Sequence, residues 1–167
     1  MYIYIALGAN LGHREQAMRH AIKALDERLG TLVKCSSFYE TRPVGFVSEH
    51  LFLNAAAVFD TSLSAEEALD VTQAIEREMG RTRKSHDGIH YDRCIDIDLL
   101  FLGEECLQTS RLTLPHPHLT ERDFVLRPLA EIAPDLRHPL TGLTIRRHLE
   151  LLEQKEAAES TDVPHNT

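Results

Sequence analysis

The fold is decided by a stretch past the middle of the chain, residues 95–102, which has the sequence IDIDLLFL. Isoleucine and aspartate alternate in its first half, a pattern typical of a β-strand with one buried face. In such a strand Asp96 and Asp98 point to the same face, about 7 Å apart along the chain. Ile97 and Leu99 point the other way, into the expected core.

Strands and helices alternate in the part of the chain that precedes this strand. Apolar, β-prone runs predict strands, and apolar residues at helical spacing predict two helices, the second opened by a Ser64-x-x-Glu67 capping box. The order βαββαβ predicts an α+β fold with a ferredoxin-like core, in which the helices pack on one face of the sheet. The predicted strands cover residues 2–7, 31–39, 52–61 and 95–102, and the predicted helices cover residues 18–29 and 64–80.

A C-terminal extension of a short strand and helices follows a turn at Gly103. Thr120-x-x-Asp123 matches a capping pattern for the first of these helices. Residues 153–167 contain four acidic residues and one large apolar residue, so they predict an acidic, disordered tail after a single domain of residues 1–152. The extension is predicted as a strand near 111–114, a helix near 122–131 and a helix near 143–152.

Composition narrows the class of protein. A chain of 167 residues suits one domain, and its net charge of −8 argues against broad nucleic-acid binding. Its apolar runs are too short to span a bilayer, and its N-terminus shows no signal-peptide pattern. The three cysteines form no CxxC motif, which favours a reduced environment. We expect a cytoplasmic monomer with no nucleic-acid or membrane partner.

The two strand aspartates require a source of compensating charge. Aspartate is depleted in strands, and two parallel carboxylates repel each other. A divalent cation with oxygen ligands is a common solution, so Asp96 and Asp98 are candidate metal ligands. The alternative is a solvated sheet face on which the two aspartates pair loosely with nearby arginines.

A basic loop precedes the strand, and it includes Arg81, Arg83, Lys84 and Arg93 in a chain of negative net charge. Arginine binds phosphate through its forked guanidinium, and Gly88 favours a loop that can close over a polyanion. A solvated basic turn is the alternative. Together with the aspartate pair, the loop indicates phosphoryl transfer, in which catalysis is mainly positioning and charge stabilisation.

A third cluster follows the strand. Arg111 and Thr113 share a strand face, and with His116 and Arg122 they extend a surface suited to phosphate or a nucleotide. Alternatively, His116 and His118 bind a transition metal. The chain has no P-loop motif, no Gly-x-Gly-x-x-Gly fingerprint and no Gly-x-Ser-x-Gly elbow, so these classes of site are not predicted.

Six short motifs occur in a fixed order along the chain: GANLG (8–12), SFYETRPVG (37–45), FLNAA (52–56), GRTR (80–83), RCIDIDLL (93–100) and LPHP (114–117). Such an ordered set is far more specific than any single motif. Through these motifs the chain resembles the 6-hydroxymethyl-7,8-dihydropterin pyrophosphokinase family of folate biosynthesis, from about Tyr4 to about Pro134.

The resemblance implies transfer of a pyrophosphoryl group from ATP to the hydroxymethyl oxygen of the pterin, with release of AMP. It implies that Asp96 and Asp98 hold two Mg²⁺ ions that bridge the ATP phosphates and the acceptor hydroxyl. It also implies that Arg81 and Arg93 act on the phosphates during the reaction. The positions that match the ATP side of the family site are Gln73, Glu76, Arg83, Lys84, Arg111, Thr113, His116 and Arg122.

The resemblance likewise implies a pterin side. Phe52 and Phe124 are candidates to sandwich the flat heterocycle, with core packing as the alternative. Asn54 offers a donor and an acceptor in one amide, which suits a pterin edge. The matching positions are Thr41, Arg42, Val44, Phe52, Asn54 and Phe124.

Two other hypotheses about function remain open from the sequence. A nucleotide-sugar glycosyltransferase also uses an Asp-x-Asp motif, although 167 residues is short for such an enzyme. A small-molecule sensing module on the same scaffold would bind its ligand without consuming a nucleotide. Such a module would need neither the paired strand aspartates nor the arginine-rich loop.

Overall fold

Five antiparallel strands form the central sheet of the computed structural model, which describes residues 1–9, 14–41, 52–81 and 95–162. The strands lie in the order β2-β4-β1-β5, and β3 pairs with β4 beyond the end of β2. This is the predicted ferredoxin-like arrangement. The elements are β1 (Tyr2–Ala9), α1 (Arg14–Arg28), β2 (Thr31–Cys35), β3 (Tyr39–Thr41), β4 (Phe52–Asp60), α2 (Ala65–Arg81), β5 (Asp96–Leu102), β6 (Leu107–Gln108), β7 (Thr113–Leu114), a 3₁₀ turn (Leu119–Glu121), α3 (Asp123–Ile132) and α4 (Ile145–Asp162).

Each face of the sheet has its own apolar core. Alternate residues of β1, β4 and β5, such as Ile5, Phe59 and Leu99, pack with α1 and α2 on one face. The opposite face packs with α3 and α4 through a smaller cluster that includes Ala56 and Phe101. The C-terminal extension therefore covers part of the face that a bare βαββαβ unit would leave open, and the other part of that face holds the two aspartates.

The helix signals in the sequence are confirmed for α2 and wrong for α3. The Ser64 hydroxyl accepts a hydrogen bond from the Glu67 amide at 3.2 Å, and Glu67 accepts one from the Ser64 amide at 3.0 Å, which completes the capping box. Thr120, by contrast, lies within the 3₁₀ turn, and α3 begins after Arg122 with no side-chain cap. The 3₁₀ turn places Thr120 outside the N-cap position that a capping box requires.

Several element boundaries differ from the predictions, and three of the differences bear on the site or on the tail. The strand predicted over residues 31–39 divides into β2 and β3. At the break, Ser36 hydrogen-bonds Ala56 of β4 through its hydroxyl and its amide, which interrupts the regular backbone pairing. The short strand begins at Thr113, so Arg111 lies outside it. The last helix does not end at Leu152 but continues to Asp162, so the predicted disordered tail is helical that far. Glutamate, lysine and alanine are strong helix formers, and extending a helix is easier than nucleating one.

No helix within the described parts of the chain combines the length and the apolar character that a membrane crossing requires.

Two buried histidines lie where α4 meets the sheet. His138 and His148 are 6% and 9% exposed, their ring centres are 5.6 Å apart, and the His138 ring packs edge-on against Phe101. The Leu140 amide donates to His138 Nδ1 at 3.1 Å, and His148 Nε2 lies 2.7 Å from the Thr141 hydroxyl. Desolvation by burial lowers the pKa of both rings. The nearby His148 ring lowers the pKa of His138 further.

This pair makes stability depend on pH. Below the ordinary histidine pKa of 6.5, the unfolded chain binds protons that the folded chain does not. The free energy of unfolding is therefore larger above pH 6.5 and decreases as the pH falls below that value. We expect the urea unfolding midpoint to be lower at about pH 5.5 than at about pH 7.5. His148→Gln should reduce this difference, whereas His20→Gln, at an exposed position on α1, should not. An equal difference in both variants would contradict the prediction.

Candidate active site

The aspartate pair lies on the open part of the sheet. Along β5 the exposure alternates as the sequence predicts: Asp96 and Asp98 are exposed, while Ile97 and Leu99 are buried beneath α1 and α2. Two carboxylates thus point to the same side of one strand, where their mutual repulsion favours a cation.

The strand that carries this pair is fixed by a carboxylate from α2. Among the described residues β5 is an edge strand of the sheet, so its outer amides have no strand partner there. Glu76 is 7% exposed, and its Oε2 accepts a hydrogen bond of 2.8 Å from the Ile97 amide, which lies between the two aspartates. Glu76 therefore holds the backbone of β5 at the point where the site needs it to be rigid. Its contact with ATP stays a prediction.

Asn54 lies across the sheet from Asp96, with Gly8 of β1 between them in register. Strands are about 4.8 Å apart, so the Cα atoms of Asn54 and Asp96 are separated by roughly 10 Å. A Cβ on residue 8 would lie 3.3 Å from Asn54 Oδ1, so a glycine gives the amide room. Asn54 Nδ2 donates to the Thr41 hydroxyl at 2.6 Å. The Asn54 side chain is thereby held over the same face as the aspartates.

The first predicted strand ends at residue 7, so the sequence pattern leaves Gly8 outside the sheet and gives no sign of this contact. A glycine after an apolar run usually indicates that the strand has ended, and no local signal here shows that the strand continues past it. The pairing of β1 with β4, more than forty residues away in sequence, makes Gly8 a strand residue.

Two aromatic residues border this face. Phe52, half-buried at the start of β4, lies two residues before Asn54 and so points to the same side. Phe124, in the first turn of α3, is 38% exposed, which does not fit the core-packing alternative. The Arg122 guanidinium lies 5.9 Å from the centre of the Phe124 ring, within the range of a cation–π contact.

His116 lies beside the aspartate pair. It is half-buried, and burial lowers its pKa even though the nearby Asp98 carboxylate opposes that change. The His118 amide donates to His116 Nδ1 at 3.2 Å, so in the neutral ring Nε2 carries the proton. The structure thus presents His116 as a neutral hydrogen-bond donor close to Asp98.

Arg111 is fixed at the outer side of α2. Its guanidinium forms ion pairs with Glu66 at 2.6 Å and Asp70 at 2.7 Å, and it donates to Gln73 Oε1 at 3.3 Å. The structure therefore brings together two residues predicted for the ATP side, Arg111 and Gln73. Thr113 lies nearby in sequence within β7 and is half-buried.

Several predicted site residues lie outside the described residues. Arg81 is the last residue of α2, and only its backbone is described. The roles of the basic loop and of the segment after β3 in the site therefore stay predictions. The residues concerned are Arg42, Val44, Arg83, Lys84 and Arg93.

The donor set suits magnesium better than a transition metal. Across residues 1–9, 14–41, 52–81 and 95–162, no three or more histidine, cysteine, aspartate or glutamate side chains are grouped so as to hold a metal ion. The alternative that His116 and His118 bind a transition metal thus lacks a third ligand in that part of the chain. Mg²⁺ commonly takes one or two carboxylates and completes its shell with water and substrate phosphates. Asp96 and Asp98 fit that requirement.

Comparison with known proteins identifies the family. Residues 4–134 match the family model described as 7,8-dihydro-6-hydroxymethylpterin-pyrophosphokinase. A protein of Porphyromonas gingivalis named 2-amino-4-hydroxy-6-hydroxymethyldihydropteridine pyrophosphokinase is 47% identical over 138 residues, which cover 82% of this chain and 93% of that protein. A Bacillus subtilis protein of the same name is 44% identical over 140 residues, 83% of this chain and 82% of the relative.

The solved structures agree on the fold. The wild-type HPPK-DHPS of Plasmodium falciparum superimposes with a TM-score of 0.76 at 16% identity, and the match covers 95% of this chain but 46% of that longer one. At this identity the likeness concerns the fold alone. Together with the family match over most of the chain, these findings establish that the protein belongs to the 7,8-dihydro-6-hydroxymethylpterin-pyrophosphokinase family.

Proposed function

We propose that this chain carries out the reaction of its family on the open face of its sheet. It is a pyrophosphokinase of folate biosynthesis that transfers the pyrophosphoryl group of ATP to the hydroxymethyl oxygen of 6-hydroxymethyl-7,8-dihydropterin and releases AMP. The observation that carries the assignment of the site is the register across the sheet, which places Asp96 and Asn54 on one face with Gly8 between them.

Asp96 and Asp98 are proposed to hold two Mg²⁺ ions. Bound ions would neutralise charge on the attacking and leaving oxygens of an in-line displacement. The chain contributes two carboxylates on one strand face, which the Glu76 contact with the Ile97 amide keeps in place. Both the metal identity and the number of ions are part of the proposal.

The nucleotide is proposed to lie along the outer edge of β5, beside Glu76 and His116. His116 can donate from Nε2 to a phosphate oxygen while its ring remains neutral. Arg81 and Arg93 are the proposed catalytic arginines, which would stabilise negative charge on the transferred group. The remaining proposed ATP contacts are Gln73, Glu76, Arg83, Lys84, Arg111, Thr113 and Arg122.

The pterin is proposed to lie over Asn54. The Asn54 amide would bond one edge of the ring system, and Phe52 and Phe124 would contact its two faces. Thr41 orients the Asn54 amide, as the hydrogen bond of 2.6 Å supports. Arg42 and Val44, which follow Thr41 in sequence, complete the proposed pterin side.

The two other hypotheses are now weaker. Membership of the pyrophosphokinase family argues against the hypothesis of a nucleotide-sugar glycosyltransferase. A sensing module that binds without turnover has no counterpart among the named relatives cited above. Location in the cytoplasm and the lack of a nucleic-acid partner remain part of the proposal, supported by the cysteine pattern and the negative net charge. A monomeric state is also part of the proposal.

The first test incubates the purified protein with Mg²⁺, ATP and 6-hydroxymethyl-7,8-dihydropterin, and separates AMP from ADP. We expect AMP to form only when the pterin is present. ADP as the product would indicate transfer of a single phosphoryl group and would contradict the proposal. A folded protein that binds the pterin and consumes no nucleotide would instead support the sensing module.

A further inference from the structure

The Glu131 carboxylate on α3 accepts several hydrogen bonds, and it has no role in the site described above. Its Oε1 accepts from the Tyr39 hydroxyl at 2.6 Å. The Ser37 amide donates to both carboxylate oxygens, at 3.2 and 3.0 Å, and the Ser37 hydroxyl donates to Oε2 at 3.2 Å. Three donors from one short segment thus converge on one side chain more than ninety residues away in sequence.

The same segment is tied to β4 on its other side. The Ser36 amide donates to the Ala56 carbonyl at 2.8 Å, and the Ser36 hydroxyl accepts from the Ala56 amide at 2.9 Å. Tyr39 then pairs with Asn54 in the β3–β4 register. Residues 36–41 are therefore held between β4 and α3, and Glu131 provides the hydrogen bonds that join Ser37 and Tyr39 to α3.

Electrostatics favours the ionised form of Glu131. Desolvation acts to raise its pKa, but the hydrogen bonds from Tyr39 and Ser37 outweigh this and lower it. The bond to Glu131 also raises the pKa of Tyr39, so at neutral pH the tyrosine donates and the carboxylate accepts. Hydrogen bonds to an ionised acceptor are roughly twice as strong as neutral ones.

The two ends of this connection lie at the proposed pterin side. Segment 36–41 ends at Thr41, which orients Asn54. Glu131 and Phe124 are seven residues apart in α3, so they lie on the same side of the helix, about 10 Å apart along its axis. A shift of β3 against α3 would therefore change the position of Thr41 and Asn54 relative to Phe124.

We infer that Glu131 is a positioning residue for the pterin, because it clamps β3 to the helix that carries Phe124. The inference rests on the proposed pterin side of the site. The aspartate pair is held separately, by β1 and by Glu76, so loss of the clamp affects pterin binding and spares the transfer step. Nothing in the sequence marks Glu131, since its partners are distant along the chain.

The clamp is tested with Glu131→Ala in steady-state assays of AMP formation. We expect the KM for the pterin to rise about tenfold, as for the loss of a hydrogen-bonded charge, with kcat and the KM for ATP within about twofold of wild type. Glu131→Gln retains one acceptor oxygen and should restore part of the loss. The matched control is Glu150→Ala on α4, whose carboxylate pairs only with Arg147 among the described contacts and should leave all three parameters unchanged.

A purely structural role would lower the urea midpoint of Glu131→Ala and leave the KM for the pterin unchanged, and this result would overturn the inference. Amide hydrogen exchange provides a readout without turnover. The amides of residues 37–41 should exchange faster in Glu131→Ala than in wild type or in Glu150→Ala. Unchanged exchange would overturn the clamp by itself, whereas a wild-type protein that forms no AMP would contradict the proposed function.

Discussion

Replacing Asp98 with alanine is expected to abolish pyrophosphoryl transfer and leave the fold intact. The aspartate is exposed on β5, so its removal creates no cavity and relieves repulsion with Asp96. A metal ion supplies several kcal/mol of charge stabilisation, so we expect kcat for AMP formation to fall by about a thousandfold or more. The urea unfolding midpoint should equal that of wild type or exceed it.

The design separates loss of the metal ligand from loss of a surface charge. Asp98→Asn keeps the shape and removes the anionic ligand, so it should be nearly as inactive as the alanine variant. Asp135→Asn, an exposed aspartate that pairs with Arg146 outside β5, removes the same charge and should retain full activity. Normal turnover in Asp98→Ala would reject the metal assignment, and equal losses in Asp98→Asn and Asp135→Asn would indicate an effect of net charge alone.

The sequence predicts the fold and the aspartate pair because both depend on short-range patterns. Alternation of apolar and acidic residues in 95–102 determines which face of β5 is buried, and it needs no knowledge of neighbouring strands. The capping box before α2 is equally local, since both of its hydrogen bonds join residues three apart.

Contacts between distant segments are the part that sequence patterns miss. Glu76 matches a family position on the ATP side, yet its bond to the Ile97 amide follows from the packing of α2 on an edge strand. The contact of Gly8 with Asn54 depends on strand register, and the bonds of Glu131 depend on where α3 crosses β3. None of these pairs leaves a periodic signal in the chain.

The C-terminal helix shows a different limitation. Residues 153–162 have almost no apolar side chains, so composition predicted disorder. They are helical because they continue α4, whose earlier turns are anchored by Ile145 and by the buried His148. Composition describes what a segment does in isolation, whereas helix propagation depends on the segment before it.

Replacing Asn54 with leucine is expected to remove pterin recognition and leave ATP binding unchanged. Leucine has nearly the same size and no hydrogen-bonding group, so the polar edge of the pterin would lose its partner. A site built to hydrogen-bond its substrate loses selectivity strongly when the partner is absent, so we expect kcat/KM for the pterin to fall by at least about a hundredfold. The KM for ATP, measured at high pterin concentration, should stay within about twofold of wild type.

Thr41→Val distinguishes direct contact from orientation. This variant keeps the Asn54 amide but removes the hydroxyl that accepts its hydrogen bond of 2.6 Å. We expect a smaller loss, about tenfold in kcat/KM for the pterin, because the amide is present but less well oriented. Equal losses in the two variants would mean that Asn54 serves only to hold Thr41, and an unchanged pterin KM in Asn54→Leu would remove Asn54 from the proposed site. If Asn54 bonds the pterin directly, the loss in Asn54→Leu must be larger than the loss in Thr41→Val. Both variants lack the hydrogen bond between residues 41 and 54, but only Asn54→Leu also lacks the amide that would bond the pterin.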